Sequence, residues 1–171
     1  QSGKGGVAYI MEAEYGFQLP RWLQIDFSTA VQGSAEQSQG EMTPQQIWQV
    51  FEQNYLSATK PYQLERYVAQ FDQQDRVQAY IQHQGVTTQV DGMGNGALDA
   101  FVNALATLTG VSVDVVNYNQ HAVEVGATCE GKRGDAAAYV QIRCKDELFS
   151  AAAVHCDILS ASFNAVLMAF N

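Results

Sequence analysis

The feature that most constrains the fold of this chain is a pattern of three strand candidates followed by a helix, which occurs twice in succession. Short runs of β-branched and aromatic residues joined by polar turns are typical of antiparallel strands, and apolar residues spaced by three and four positions are typical of a helix. The first set is Leu64–Phe71, Arg76–His83, Val86–Val90 and a helix from Gly96 to about Leu108; the second is Val111–Tyr118, Ala136–Cys144, Glu147–Cys156 and a helix capped by Asp157. The repeat predicts an α+β fold with two pseudo-symmetric βββα units, residues 63–110 and 111–171, packed as one domain.

The two helices of the repeat align at an offset of 62 residues, which places Phe101 on Phe163 and Leu105 on Leu167. Identity at this offset is sparse, and the order of the elements is the stronger evidence for a repeat. The alignment predicts two strand-to-helix turns, one at 94–96 and one at 156–158.

The first third of the chain has helical spacing instead of strand alternation. Gly16 is placed to end a first helix, and Pro20 suits the first turn of a second. Thr43, Pro44 and Gln46 mark the start of a third helix, as its cap, its first residue and the closing side chain of a capping box.

Composition changes near residue 57, where the helical spacing stops. We therefore predict a short helical subdomain over residues 1–57, a linker over 58–62 and the repeat domain over 63–171. Residues 33–42 are polar and predict a loop within the helical part.

The balance of charge excludes two classes of partner. The chain has 18 acidic and 9 basic residues, a net charge of −9. An acidic protein is repelled by nucleic acid and by anionic membrane surfaces, so we expect neither as a partner.

No apolar run is long enough to span a bilayer. The chain begins with Gln1 and a glycine-rich stretch, and we expect it to be a piece of a longer polypeptide.

Cysteines and histidines do not predict a metal site or disulfides. The three cysteines are an odd number without CxxC spacing, and the three histidines are far apart; they are Cys129, Cys144, Cys156, His83, His121 and His155. This usage is typical of free thiols in a reducing compartment, so we expect a cytoplasmic protein that holds no metal.

The sequence contains no recognisable catalytic motif. GxSxG, HExxH and a supported Cys/His pair are all missing from the 171 residues. We therefore assign no catalytic residue, leave open whether the chain takes part in an enzyme, and expect any site to bind a small anionic or zwitterionic molecule.

The strongest candidate for such a site is the turn Gly94-Asn95-Gly96. Glycines allow a ligand to approach the backbone, and the first turn of the following helix has unpaired N–H groups that suit a carboxylate. The alternative is a strand-to-helix turn that binds nothing, and the glycines alone leave both possibilities open.

Other candidate features lie in the second unit. Tyr118 stands among the polar residues Asn117, Asn119, Gln120 and His121. Two strands contain runs of three alanines, 136–138 and 151–153. Small side chains leave room either for close packing or for a ligand, and apolar walls with few polar groups are typical of pockets.

Several segments resemble the C-terminal part of the 2-isopropylmalate synthase family. Residues 2–9 and 19–28 resemble its accessory subdomain, and residues 92–101, 118–122, 136–140 and 157–162 resemble its regulatory domain. The segments occur in the expected order and extend from one end of the chain to the other.

This resemblance implies a function. The family condenses acetyl-CoA with 2-oxoisovalerate in a TIM barrel that carries a divalent metal, and this barrel would lie upstream of Gln1. The present chain would be a homodimeric regulatory region that binds L-leucine for feedback inhibition of leucine biosynthesis, with no cofactor of its own. By the resemblance, the effector-binding residues would be Gly94, Asn95, Gly96, Leu98, Val115, Tyr118, Ala122, Ala136 and Ile158.

The chain departs from the family pattern at several positions. Ala97 replaces a usual proline, and Asp99 replaces a usual alanine. The residues 154–156, Val-His-Cys, replace a glycine-bearing turn before the last helix. We expect the stretch Cys129–Gly134 to form a longer loop than is usual in the family. Two alternatives stay open: an isoleucine-sensing domain of a citramalate synthase, and a purely structural dimerisation domain.

Overall fold

The structure, a computed structural model, describes residues 4–38, 40–56, 61–123 and 135–171. Over these ranges the chain forms five α-helices, a π-helical turn and six strands. The elements are α1 Lys4–Tyr15, α2 Arg21–Ser38, α3 Pro44–Phe51, the π-helical turn Glu52–Leu56, β1 Tyr62–Phe71, β2 Asp75–His83, β3 Val86–Gly94, α4 Ala97–Thr109, β4 Asp114–Ala122, β5 Ala136–Cys144, β6 Glu147–His155 and α5 Ile158–Phe170.

The six strands form two separate antiparallel sheets, in the order β1-β2-β3 and β4-β5-β6. In each sheet a two-residue turn joins the second and third strands, with Gln84 and Lys145 in the left-handed region at φ 52° and 58°. Each sheet is followed by a helix, α4 or α5. The predicted α+β fold of two βββα units after a helical part is confirmed.

From the second strand of each unit to its helix, equivalent elements are separated by 61 residues, and the offset of 62 expected for the helices is wrong by one. β5 and α5 begin 61 positions after β2 and α4 (136 − 75 and 158 − 97). Phe101 is therefore equivalent to Ser162, and Val102 to Phe163. The sequence alignment matches apolar residues by type, as in Phe101 with Phe163 and Leu105 with Leu167, whereas equivalence in the structure follows from the turns and the pairing of the strands.

The main core lies between the two sheets and the helices α4 and α5. α4 covers β2 and β3 of its own unit, and α5 covers β5 and β6 of its own. Each helix also contacts the first strand of the opposite unit, α4 with β4 and α5 with β1. The two units therefore pack against each other and share one core.

The helical part packs on the second sheet and forms a second core with it. Fully buried aromatic residues of the helical part, Phe17, Phe27 and Phe51, share this core with Ala137, Tyr139 and Ala152 of the sheet. Both faces of the second sheet are thus covered, by helices α4 and α5 on one side and by the helical part on the other. All six alanines of 136–138 and 151–153 are buried, because small side chains let helices approach from both sides.

The predicted helix start at Thr43 is confirmed, because Thr43 and Gln46 form a capping box with Pro44 in the first turn. The predicted loop over 33–42 is wrong in its first part, since α2 continues to Ser38. The buried side of α2 ends at Val31, but Ala35, Glu36 and Gln37 favour helix enough to extend it into solvent.

Two predicted segments lie wholly or partly outside the described residues. The loop Cys129–Gly134 is outside them, as are residues 58–60 of the expected linker, whereas Tyr62 already belongs to β1. The division into domains at 58–62 stays a prediction. None of the described helices is both long enough and apolar enough to span a bilayer.

Candidate functional site

The turn between β3 and α4 depends on glycine for two different reasons. Gly96, the residue before the helix, has φ 99°, which a residue with a side chain rarely adopts. Gly92 and Gly94 instead lie against α4: a Cβ on Gly92 would be 2.0 Å from the carbonyl oxygen of Ala100, and one on Gly94 would be 2.9 Å from the amide nitrogen of Ala100. Gly92 and Gly94 therefore allow α4 to approach β3 closely. Of the three glycines, only Gly96 is needed for the backbone conformation of the turn.

Two backbone amides of this turn already bind carboxylates of the protein. The N–H of Asn95 donates to Asp99 Oδ2 at 3.0 Å, and the N–H of Gly96 donates to Asp75 Oδ2 at 2.8 Å. Gly96 has no side chain, so α4 begins without a side-chain cap. An effector carboxylate that binds the amide of Asn95 or Gly96 would therefore have to displace Asp99 or Asp75.

An open cavity of about 520 Å³ lies beside the turn, between α4 and the first residues of β4. Its lining includes three of the nine predicted site residues, Asn95, Leu98 and Val115. The other lining residues are Asp99, Val102, Asn103, Ser112, Val113 and Asp114. The walls combine aliphatic side chains with amides and two carboxylates, which suits a small molecule that has both an apolar group and an ammonium.

The other predicted residues do not line this cavity. Gly94 and Gly96 belong to the adjoining turn. Ala122 and Ala136 are paired across β4 and β5. Tyr118 lies close to the start of α5, because its hydroxyl is 2.6 Å from Ser162 Oγ, which in turn donates to the carbonyl oxygen of Ile158 at 2.9 Å. The nine residues thus fall into two groups, one at each strand-to-helix turn.

The second turn differs from the first in that a side chain caps its helix. Asp157, the equivalent of Gly96, accepts hydrogen bonds from the Ser160 amide at 3.1 Å, the Ser160 hydroxyl at 2.8 Å and the Tyr67 hydroxyl at 2.5 Å. Partial burial disfavours the charged form of Asp157, but the hydrogen bonds from Tyr67 and Ser160 outweigh it, so the pKa of this carboxyl lies below its usual value. The predicted capping role of Asp157 is confirmed.

Tyr67 stays a hydrogen-bond donor at this turn over the physiological pH range. Burial and the neighbouring Asp157 carboxylate raise the pKa of Tyr67 to about 12. Tyr118 is the equivalent of Tyr67. Each lies three residues after the start of an irregularity in the strand pairing, which begins at Leu64 in β1 and at Val115 in β4. Tyr67 binds the cap residue Asp157, but the equivalent residue Gly96 has no side chain that Tyr118 could bind. The Tyr118 hydroxyl therefore forms its hydrogen bond with Ser162.

The polar residues around Tyr118 connect the second sheet to the helical part. Asn119 accepts a hydrogen bond from the Trp22 indole at 2.8 Å. His121 Nε2 accepts from the Gln18 amide at 3.1 Å and contacts the hydroxyl of the fully buried Tyr139 at 2.7 Å. These side chains, expected as possible ligand anchors, serve an internal interface.

Several residues at the site were missed by the sequence analysis: Asp75, Asn103, Asp114 and Ser162. Asp99 was noted only as a departure from the family. One signal could have found its role, because Asp99 is the third residue of α4, the position from which an acidic side chain commonly reaches back to the turn. Asp75 had no such signal, since only the fold brings the start of β2 to residue 96.

Within the ranges that the structure describes, no group of three His, Cys, Asp or Glu side chains is arranged to hold a metal ion. Cys144 is a free thiol, and the Cys156 thiol donates a hydrogen bond to Asp135 Oδ1 at 3.2 Å. The described part of the site therefore offers hydrogen bonds and apolar surface to a ligand.

Comparison with known proteins identifies relatives of the whole chain. A family model described as the LeuA allosteric (dimerisation) domain matches residues 41–171. Proteins named 2-isopropylmalate synthase from Mycobacterium leprae, Corynebacterium glutamicum and Clostridium acetobutylicum are 38%, 39% and 33% identical to it. Each alignment covers 100% of this chain but only 28%, 27% and 31% of the relative. The chain thus spans less than a third of the length of these relatives, and the resemblance noted in the sequence is confirmed.

Proposed function

Because the chain belongs to the LeuA allosteric (dimerisation) domain family, we propose that it is the regulatory portion of a 2-isopropylmalate synthase and binds L-leucine as a feedback inhibitor. A catalytic TIM barrel elsewhere in the same polypeptide would condense acetyl-CoA with 2-oxoisovalerate. The regulatory portion pairs with a second copy in a cytoplasmic homodimer. The divalent metal of the reaction belongs to the barrel, and we assign it no ligand in this chain.

The observation that carries the proposal is the cavity of about 520 Å³ lined by Asn95, Leu98 and Val115. The cavity is small enough for one amino acid, within the range of about 300–1,000 Å³ typical of ligand pockets. It lies between α4 of the first unit and β4 of the second, so a ligand there contacts both halves of the repeat. Contact with two units is what a regulatory ligand needs in order to change their arrangement.

The chemistry of the lining suits leucine. The isobutyl group packs against Leu98, Val102 and Val115, and the ammonium binds Asp114, which has the opposite charge. The effector carboxylate faces the start of α4, where the helix has no side-chain cap. Selectivity against isoleucine and valine depends on shape, since one methylene is worth about 1–3 kcal/mol in an apolar pocket.

One observation favours a second candidate, a purely structural dimerisation domain. The amides of Asn95 and Gly96, at which an effector carboxylate would bind, already donate to Asp99 and Asp75. A turn whose amides are satisfied within the protein needs no ligand for its stability.

Isothermal titration calorimetry with L-leucine, L-isoleucine and L-valine distinguishes these functions. We expect leucine to bind most tightly; a preference for isoleucine would instead indicate the regulatory domain of a citramalate synthase. No heat from any of the three, together with a dimer in analytical ultracentrifugation, would support the structural role and overturn the proposal.

A pair of neighbouring variants locates the site. Val115→Phe fills the cavity and should abolish the heat of leucine binding. Val116→Phe adds the same volume at the next residue of β4, which is exposed and does not line the cavity, and should leave binding unchanged. Equal behaviour of the two variants would place the leucine site elsewhere.

A further inference from the structure

The Asp99 side chain folds back over the turn that precedes its own helix. Its Oδ2 atom accepts the Asn95 N–H at 3.0 Å, and a Cβ added to Gly94 would lie 2.3 Å from the same oxygen. The carboxylate therefore lies directly against the open face of Gly94. It is also part of the cavity lining.

The second unit shows that this arrangement is particular to the first turn. Ser160, the equivalent of Asp99, donates its amide and hydroxyl to Asp157 and does not accept from the turn. A carboxylate is present at both helix starts, but Asp157 is the cap residue itself and Asp99 comes from within the helix. Asp99 could thus rotate away without losing a cap residue, whereas Asp157 could not.

An incoming carboxylate meets an unfavourable charge at this turn. Asp99 and Asp114 line the cavity, Asp75 binds the Gly96 amide, and the described lining contains no lysine or arginine. Like charges at such short range repel, and the Asn95 amide can serve only one carboxylate oxygen at full strength.

We propose that Asp99 sets the affinity of the effector site by acting as an internal competitor for the effector carboxylate. It occupies the Asn95 amide in the free protein, and the effector must displace it to bind. The inference rests on the proposed leucine-binding function and concerns the regulation of the same site. A chain with alanine at position 99 has an open amide and binds more tightly.

Calorimetric titration of the 171-residue chain with L-leucine tests the inference in native protein, Asp99→Ala and Asp99→Asn. We expect Asp99→Ala to bind leucine about tenfold more tightly, as one charge-assisted hydrogen bond is gained by the ligand. Asp99→Asn loses the charge but keeps an acceptor, so its affinity should lie between the two. Glu14→Ala, which removes an exposed carboxylate from α1, is the matched control and should bind as native protein does.

L-leucinamide, which lacks the carboxylate, isolates the proposed competition. Its affinity should increase less than that of leucine in Asp99→Ala, because its neutral carbonyl oxygen makes a weaker hydrogen bond to the freed amide than a carboxylate does. Thermal unfolding of each variant verifies that the chain is folded during the titration.

The outcomes separate this inference from the function on which it rests. If native protein binds leucine and Asp99→Ala binds it equally or more weakly, Asp99 is a helix cap or an ammonium ligand, and the inference alone is overturned. If leucinamide gains as much affinity as leucine, competition for the amide is likewise overturned. If neither native protein nor Asp99→Ala binds leucine, the proposed function fails and the inference fails with it.

Discussion

Phe101 of α4 and Phe163 of α5 stack face to face, with their ring centroids 4.4 Å apart and their planes inclined by 10°. Both side chains are fully buried, and each belongs to the helix of a different βββα unit. Tyr67 of β1 adds an edge-on contact with Phe163 at 5.1 Å. The two units are therefore joined by aromatic contacts at the centre of their shared core.

We expect Phe163→Ala to lower the free energy of unfolding by about 3–5 kcal/mol, because it leaves a cavity and removes both ring contacts. Phe71→Ala is the control, since Phe71 is 59% exposed at the end of β1 and its loss should cost less than about 0.5 kcal/mol. Urea denaturation measures both. Similar losses in the two variants would contradict the central position of Phe163.

Gly92→Ala should destabilise the chain by about 2–3 kcal/mol, because the added Cβ would overlap the backbone of α4 and force the helix away from β3. The nearest atoms are the Ala100 carbonyl oxygen at 2.0 Å and the Ala104 amide nitrogen at 2.4 Å. Gly33→Ala, within α2 and with no atom within 4 Å of its Cβ, should instead stabilise by about 0.5–1 kcal/mol. Thermal and urea unfolding compare the two; a neutral Gly92→Ala would show that the strand and helix are less closely packed.

The Asp157 carboxylate should make stability depend on pH in the acid range. Its pKa is lower in the folded chain than its ordinary value of 3.8, so its ionisation stabilises the folded state above that pH. This contribution is lost as the pH falls below 3.8 through the folded pKa. Unfolding free energies of native protein and Asp157→Asn, in which asparagine can still cap the helix, should therefore differ at pH 7 and converge in acid.

Tyr67→Phe tests the same contact from its donor side. Removing the hydroxyl raises the pKa of Asp157 toward its ordinary value and should cost about 1 kcal/mol at pH 7, a modest figure because both groups are partly exposed to solvent. The acid dependence should also become weaker. An unchanged pH profile in this variant would rule out Tyr67 as the source of the shift.

His121→Ala should cost more than Tyr139→Phe. Among the described residues, His121 is the hydrogen-bond partner of the Tyr139 hydroxyl, and burial raises the pKa of Tyr139, which keeps the phenol neutral. Removing His121 leaves the hydroxyl buried and unpaired, at a cost of about 1–3 kcal/mol, whereas removing the hydroxyl leaves His121 bonded to Gln18. In urea denaturation the double variant should be no less stable than His121→Ala alone; additive losses would contradict this account.

Local signals were sufficient for the elements and for the repeat. Thr43, Pro44 and Gln46 determine a helix start by chemistry that lies within four residues, and the structure contains that capping box. Gly110 ends α4 in the left-handed conformation, which glycine commonly adopts at the end of a helix. The alternation and spacing of apolar residues likewise predicted four of the six strands to within two residues at both ends; the exceptions, β3 and β4, each continue four residues beyond their expected ends.

The tertiary structure decided how the units are related and what occupies the turn. An offset of 62 matches Phe101 with Phe163 and Leu105 with Leu167 by residue type, but the two phenylalanine rings stack on each other in the core and are not equivalent. The alanine runs admitted either a pocket or close packing, and packing on both faces of the second sheet accounts for their burial.

The sequence by itself therefore determined the order of helices and strands, because capping, glycine conformation and apolar periodicity act between residues a few positions apart. It also determined the family to which the chain belongs. Only the tertiary structure decided that Asp75 reaches the Gly96 amide, 21 residues away along the chain, and that the nine expected site residues form two groups. Such contacts depend on the packing of whole sheets and helices, which no local pattern of residues specifies.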